Sequence, residues 1–174
     1  MRFGTVHVLW STSLVALTAI TLRTSAVRAD DDSDTCKAST GVFSSKVGEP
    51  CLSPIGLCTH GQLLGELAAK YDFEFLTLVP SNDATDPTKF VYTGTSVVTL
   101  NDNSGVLFTK DTGIIHIPLD GAPAQFVTKA IVDRGTKHLR HTLGGFVATG
   151  SITFETGDAI GNYSAILCPH HSGH

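Results

Sequence analysis

The chain has 174 residues, with 12 Lys and Arg against 16 Asp and Glu and a formal net charge of −4. Its basic residues are scattered singly, which argues against a nucleic-acid partner, because phosphate binding requires clustered Lys and Arg. The length is typical of one domain with a substantial hydrophobic core.

The N-terminal 29 residues have the layout of a secretory signal peptide. Arg2 precedes an apolar run at residues 6–22, and small side chains at Val27 and Ala29 predict cleavage after Ala29. The run is shorter than the roughly 20 strongly apolar residues of a spanning helix, although an uncleaved anchor remains the alternative. Cleavage of residues 1–29 would remove three arginines, leaving nine basic and 16 acidic residues and a net charge of −7. We therefore expect a secreted protein, or a periplasmic one in a bacterium, without membrane association after cleavage.

Four cysteines remain after the predicted cleavage site: Cys36, Cys51, Cys58 and Cys168. An even number in an exported chain indicates two disulfides, and their spacing has no zinc-site signature. Residues 30–50 are acidic and rich in Ser and Thr, which predicts a flexible, disulfide-tethered lead-in at 30–57 before a folded domain at 58–168. Residues 169–174 contain three histidines and predict a disordered tail.

Strands are predicted from alternation of side-chain types. Tyr71, Phe73 and Phe75 alternate with acidic residues, and β-branched residues and turn signals punctuate the chain at intervals of about ten residues. Asp111-Thr112-Gly113 and Asn101 to Gly105 are interpreted as turns. The predicted strands lie at residues 61–80 (one bent strand or two), 88–100, 106–109, 114–119, 124–133, 144–156 and 161–168.

The fold prediction is all-β: a single antiparallel, mostly up-and-down, eight-stranded barrel. No long helix-period segment follows residue 29, and short sequential hairpins favour a closed barrel over a Greek-key sandwich. Closure places the start of the first strand beside the end of the last. If the first strand follows Cys58, the expected disulfide is Cys58–Cys168, with Cys36 paired to Cys51; Cys51–Cys168 is the main alternative.

The loop from Arg134 to Gly144 resembles the Gly-Gly-Thr-Gly-x-Phe-x-x-Ala-x-Gly loop of dirigent proteins and allene oxide cyclase-like barrels. Gly135, Thr136 and Gly144 match the motif, and Leu139 occupies the usual aromatic position. The departures are Arg134 and Lys137 in place of glycines and Thr142 in place of alanine. The strand rhythm at residues 59–168, about two-thirds of the chain, is similar to the same eight-stranded barrel.

This resemblance implies a small apolar ligand in the lumen and, if the protein is an enzyme, a cofactor-free cyclase, isomerase-like or stereo-directing activity. It implies no cofactor, and it implies homo-oligomers, since trimers are common in these families. An eight-stranded barrel holds either packed side chains or one small ligand. Two outcomes therefore stay open: a ligand cavity, or a non-catalytic binding or structural barrel whose lumen is filled by its phenylalanines.

Three residues are candidate ligand-binding groups. Tyr71 and Tyr92 share strand faces with phenylalanines, and each hydroxyl requires a partner once buried, whether a ligand or the barrel rim. Asp111 is a candidate acid or base at a barrel mouth, although an Asp before Thr-Gly is more often a turn residue.

Two further sequence features concern metals and modification. His138 and His141 lack a carboxylate that would complete a metal site, so no metal is predicted. Asn162-Tyr163-Ser164 is a glycosylation sequon, usable in a eukaryotic secretory pathway if Asn162 faces solvent.

Overall fold

The structure is a computed structural model that describes residues 35–169. Its antiparallel strands close into one barrel in which each strand pairs with its sequence neighbours and the first pairs with the last. The strands are β1 (Lys37–Val47), β2 (Cys58–Gly65), β3 (Ala69–Pro80), β4 (Lys89–Leu100), β5 (Val106–His116), β6 (Ala124–Gly135), β7 (Leu143–Thr153) and β8 (Asp158–Cys168). A 3-10 turn at Lys137–Leu139 joins β6 to β7. The predicted all-β, eight-stranded up-and-down barrel is confirmed.

Some predictions concern residues outside this range. The predicted signal peptide at 1–29 and its cleavage site lie outside the described residues. So does the predicted tail at 169–174, apart from its first residue, Pro169. Between residues 35 and 169 no helix has the length and apolar character needed to cross a membrane.

The barrel begins earlier than predicted, so the lead-in at 30–57 and the domain start at 58 are wrong. β1 occupies Lys37–Val47 and pairs with both β2 and β8. Its inward positions include Ser39, Phe43 and Ser45, all buried. Two of these three side chains are small hydroxyls, so the alternation that marks a half-buried strand is almost invisible in the sequence.

The predicted turn at Asp111-Thr112-Gly113 is also wrong. β5 runs without interruption from Val106 to His116, and it joins the two segments predicted as separate strands. Gly113 serves packing rather than turning: a Cβ there would lie 2.3 Å from Cζ of Tyr92. The predicted count of eight strands is therefore correct because two errors cancel: the first strand was missed, and the fifth was predicted as two strands.

Two disulfides join Cys36 to Cys168 and Cys51 to Cys58. The predicted pairings Cys58–Cys168 and Cys36–Cys51 are wrong, and so is the alternative Cys51–Cys168. Barrel closure does bring a cysteine beside Cys168, but that cysteine is Cys36, because it immediately precedes the true first strand and Lys37 pairs with Leu167 of the last. Cys51–Cys58 instead closes the loop between β1 and β2.

The loop between β6 and β7 closes one end of the barrel. Lys137 has a φ of 53°, so the residue that replaces a motif glycine still takes the left-handed conformation. Gly144 has a φ of 115°, and a Cβ there would meet the carbonyl oxygen of Ile166 at 2.0 Å. Leu139 packs against the buried core beneath it. We call this the Leu139 end; it also contains the loops at 66–68 and 101–105.

The opposite end, which we call the Phe154 end, carries four loops. They join β1 to β2, β3 to β4, β5 to β6 and β7 to β8, at residues 48–57, 81–88, 117–123 and 154–157. One core cluster lies toward the Leu139 end and includes Leu63, Leu107 and Phe146. A second lies toward the Phe154 end and includes Phe75, Ile115 and Ile152.

Candidate functional site

A cavity of about 130 Å³ lies in the barrel lumen. All eight strands contribute side chains to its wall, and most of these are aliphatic or aromatic. Phe154 belongs to the wall and is 48% exposed, so the cavity approaches solvent at the Phe154 end. The lumen is thus neither filled completely by its own side chains nor wide enough for a large ligand.

Inward-facing glycines make room for the aromatic rings of this wall. A Cβ at Gly94 would lie 2.4 Å from Cε2 of Phe73, and Gly113 admits the ring of Tyr92 in the same way. The Phe73 and Phe75 rings have centroids 4.6 Å apart, and those of Phe75 and Tyr92 are 5.1 Å apart. These edge-on and tilted contacts hold the three rings in a fixed arrangement on one side of the cavity.

Asp111 supplies the cavity with a carboxyl group. It lies on the inner face of β5 and is only 3% exposed. Thr109 Oγ1 donates a hydrogen bond of 2.5 Å to its Oδ1, and the hydroxyl of Ser96 donates to its Oδ2. Burial raises the pKa of this carboxyl above its ordinary value, and these two hydrogen bonds offset only part of that effect.

Two tyrosine hydroxyls also belong to the wall. The Tyr92 hydroxyl bonds to Oγ1 of Thr128, and burial raises the pKa of Tyr92 to about 12, with a smaller contribution from the negative charge of Asp111. Burial likewise raises the pKa of Tyr71 to about 12, and its hydroxyl bonds to Ser45. Both groups are neutral at physiological pH and present hydrogen-bonding oxygens at the cavity.

The structure thus brings together the three residues singled out in the sequence, Tyr71, Tyr92 and Asp111, on one cavity wall. Their role in ligand binding stays a prediction. Sequence reasoning missed the hydroxyl partners of these three residues, which are Ser45, Ser96, Thr109 and Thr128. Their positions on the inner faces follow from alternation within each strand, but nothing in their residue type distinguishes them from surface hydroxyls.

Tyr163 is another lumen residue that sequence reasoning did not select. Its hydroxyl donates to the carbonyl of Leu67 at 2.9 Å and accepts from the Leu67 amide at 3.1 Å. Its ring lies over Gly41, where a Cβ would be 2.7 Å from the ring. These contacts link β8 to the loop between β2 and β3, so Tyr163 has a structural role at the Leu139 end.

Among the residues that the structure describes, Asp111 is the one charged type of side chain in the cavity wall. None of the residues that line the cavity is a Lys, Arg or His. His138 and His141 are exposed in the loop that follows β6. Within residues 35–169 no three His, Cys, Asp or Glu side chains come together in a way that could hold a metal ion.

The outer surface of the barrel carries an apolar row at one level. Val91 pairs with Ile114, and Ile114 pairs with Val127. Farther around, Val42 pairs with Leu64, and all five side chains are 37–52% exposed. The exposed Asn162 of the sequon lies in the same row, as the partner of Val42 on the neighbouring strand. Its side chain therefore meets the condition of facing solvent.

Comparison of the chain with protein-family models, with curated proteins and with solved structures found no match in any of the three.

Proposed function

We propose that the barrel binds a small apolar molecule in its lumen. The observation that carries this proposal is the cavity of about 130 Å³ with a largely apolar wall. An apolar cavity of about 150 Å³ can hold benzene, whereas drug-sized ligands occupy about 300–1,000 Å³. The ligand we propose is therefore a single-ring molecule or a short alkyl compound.

Toluene tests this proposal, because it is apolar and has one ring. We expect toluene to raise the melting temperature of the protein and to give a saturable calorimetric signal. Ala130→Leu places extra methyl groups in the cavity wall and should abolish the signal; Ala148→Leu is a second variant of the same kind. Ala38→Leu, on the outer face of β1, is the matched control. Absence of toluene binding in the unaltered protein would contradict the proposal.

A second candidate function is cofactor-free catalysis in the same cavity, by cyclisation or stereo-directed coupling as the resemblance to dirigent and allene oxide cyclase-like barrels implies. The observation that favours it is Asp111, a buried carboxyl with a raised pKa beside Tyr92. Native mass spectrometry of the purified protein would identify a retained ligand. Incubation of that molecule with the protein and with Asp111→Asn then tests turnover, and equal product formation by both would contradict a catalytic role for Asp111.

We also propose that the protein is secreted. Two disulfides indicate formation in an oxidising compartment. The charge and hydropathy pattern of residues 1–29 supports export. N-terminal sequencing of protein recovered from the culture medium should begin at Asp30, and full-length chain in the membrane fraction would contradict the proposal.

Self-association is proposed through the outer apolar row. The exposed side chains of Val91, Ile114 and Val127 support it, since they are cross-strand neighbours and a hydrophobic patch of this kind favours burial against a partner. Native mass spectrometry should show an oligomer, a trimer if the family resemblance holds. Ile114→Lys should yield monomer, whereas Thr112→Lys, on the outer face of the same strand, should not.

A further inference from the structure

We propose that the lumen selects small aromatic amines, with the ligand ammonium paired to the carboxylate of Asp111 and its ring held among the lumen aromatics. This inference rests on the proposed function, because it places the ligand in the same cavity. It adds the chemical class of that ligand.

The charge of the cavity wall favours a cationic ligand. Among the described residues that line the cavity, Asp111 is the one acidic side chain, and none is basic. A buried carboxylate without a cation is costly, because burial removes its water and the protein supplies no opposite charge. An ammonium group that enters the cavity would supply that charge.

The carboxylate of Asp111 has hydrogen-bonding capacity left for a ligand. Ser96 donates to one oxygen and Thr109 to the other. An ionised carboxylate offers about four acceptor positions, so two protein donors leave capacity on both oxygens. The two hydroxyls also fix the orientation of the carboxylate before a ligand arrives, which reduces the ordering cost of binding.

The aromatic wall of the cavity also favours a cationic ligand. The rings of Phe73, Phe75 and Tyr92 lie within 6.1 Å of one another, centroid to centroid. Aromatic ring faces attract cations, and this attraction is larger where water is excluded. The charge of Asp111 contributes to the raised pKa of Tyr92, so the carboxylate and this ring act on the same region of the cavity.

The size of the cavity fits a small aromatic amine. A cavity of about 130 Å³ admits one ring with a short substituent, which matches benzylamine. The negative net charge of the chain, −4, also favours approach of a cation over an anion.

The test compares three ligands of similar size: benzylamine, benzyl alcohol and toluene. Affinities are measured by calorimetry at pH 7 for the unaltered protein and for Asp111→Asn. We expect benzylamine to bind more tightly than the other two, and its affinity relative to toluene to fall at least tenfold in Asp111→Asn. Asp133→Asn is the matched control, because Asp133 lies on β6 and pairs with Lys110 on the outer surface. It should leave the ratio unchanged.

The pH dependence gives a second measurement. Benzylamine affinity should rise with pH as Asp111 ionises, because only the carboxylate pairs with an ammonium. The other titratable side chains facing the cavity are those of Tyr71, Tyr92 and Tyr163. Burial raises the pKa of the first two to about 12, above the range of the titration. The Tyr163 hydroxyl is held by the backbone of Leu67.

Carboxyl ¹³C NMR on the unaltered protein keeps the test decisive if Asp111→Asn does not fold. Saturation with benzylamine should lower the pKa of Asp111, since a bound cation favours its charged form. An unchanged pKa at saturation would overturn the inference. So would benzyl alcohol binding as tightly as benzylamine, or an unchanged affinity ratio in a folded Asp111→Asn. Failure of all three ligands to bind, toluene included, would instead overturn the proposed function itself.

Discussion

Removal of the Cys36–Cys168 disulfide should destabilise the barrel far more than removal of Cys51–Cys58. The first bridge joins residues 132 positions apart, and the second joins residues seven apart. In the chain-entropy model these loop lengths correspond to about 5 and about 2 kcal/mol of stabilisation through the unfolded state. The larger value equals the whole stability of a weakly stable domain, which is about 5 kcal/mol.

Urea unfolding monitored by tyrosine fluorescence or circular dichroism measures these differences. We would compare the double variant Cys36→Ala/Cys168→Ala with the single variant Cys51→Ala. The single variant leaves the Cys58 side chain, which is 1% exposed, in its packed position. We expect the double variant to lose about 3 kcal/mol more than the single one. Equal losses would refute the reasoning from loop length, and so would a stable double variant beside an unfolded single variant.

Three further predictions concern packing, pH and modification. Gly150→Val should lower the free energy of unfolding, measured in urea, by about 2 kcal/mol or more, because a Cβ there would lie 2.4 Å from a carbonyl oxygen. Gly48→Val is the control and should cost much less, because its nearest contact lies at 3.9 Å. Equal costs would contradict the placement of β7. The raised pKa of Asp111 implies a contribution to folding stability that is present below about pH 3.9 and is lost as the pH rises through its folded pKa. The raised pKa of Tyr92 implies a further loss of stability from about pH 10 to about 12. Melting temperatures measured across pH should show both losses, and the first should be absent in Asp111→Asn. A melting temperature that does not change with pH where Asp111 or Tyr92 is expected to titrate would count against the burial of that residue. Expression in a eukaryotic secretory host should add a glycan at Asn162 that an amidase removes, and an unmodified intact mass would contradict solvent access at that side chain.

Alternation predicted the barrel because most inward positions carry large apolar side chains. β7 illustrates this: Phe146 and Ile152 are buried on one face, as expected, and Val147 is exposed on the other. β1 was missed because Ser39 and Ser45 take inward positions without differing from surface residues. Their burial depends on neighbours that are distant in sequence, and a pattern within one strand does not contain that information.

Disulfide pairing shows how one boundary decides a second inference. The rule that closure brings the first strand beside the last was sound, and it selected Cys168 correctly. Because the first strand was placed after Cys58 rather than after Cys36, the partner was wrong. The rule about closure was therefore correct, but it gave a wrong disulfide because the first strand of the barrel had been missed.

Asp111 was selected from the sequence, yet Asp-Thr-Gly was interpreted as a turn. Within one chain segment that interpretation is reasonable, since all three residue types favour turns. The structure shows that Gly113 is small because Tyr92 of β4 lies over it. The glycine is explained by its cross-strand partner rather than by its own backbone.

The same relation between glycines and rings determines where the cavity lies. Gly94 pairs with Asp111, and Gly113 pairs with Tyr92. The ring of Phe73 lies over Gly94 and the ring of Tyr92 lies over Gly113, so this one β4–β5 register places the carboxyl of Asp111 beside both rings. A shift of β5 by one residue would turn Asp111 to the outer face, and a shift of β4 by one residue would do the same to Tyr92, since successive side chains in a strand point to opposite faces. The candidate site therefore depends on strand register, which is set by the closed barrel as a whole. For this reason the residues of the site could be proposed from sequence, whereas their meeting around one cavity could not.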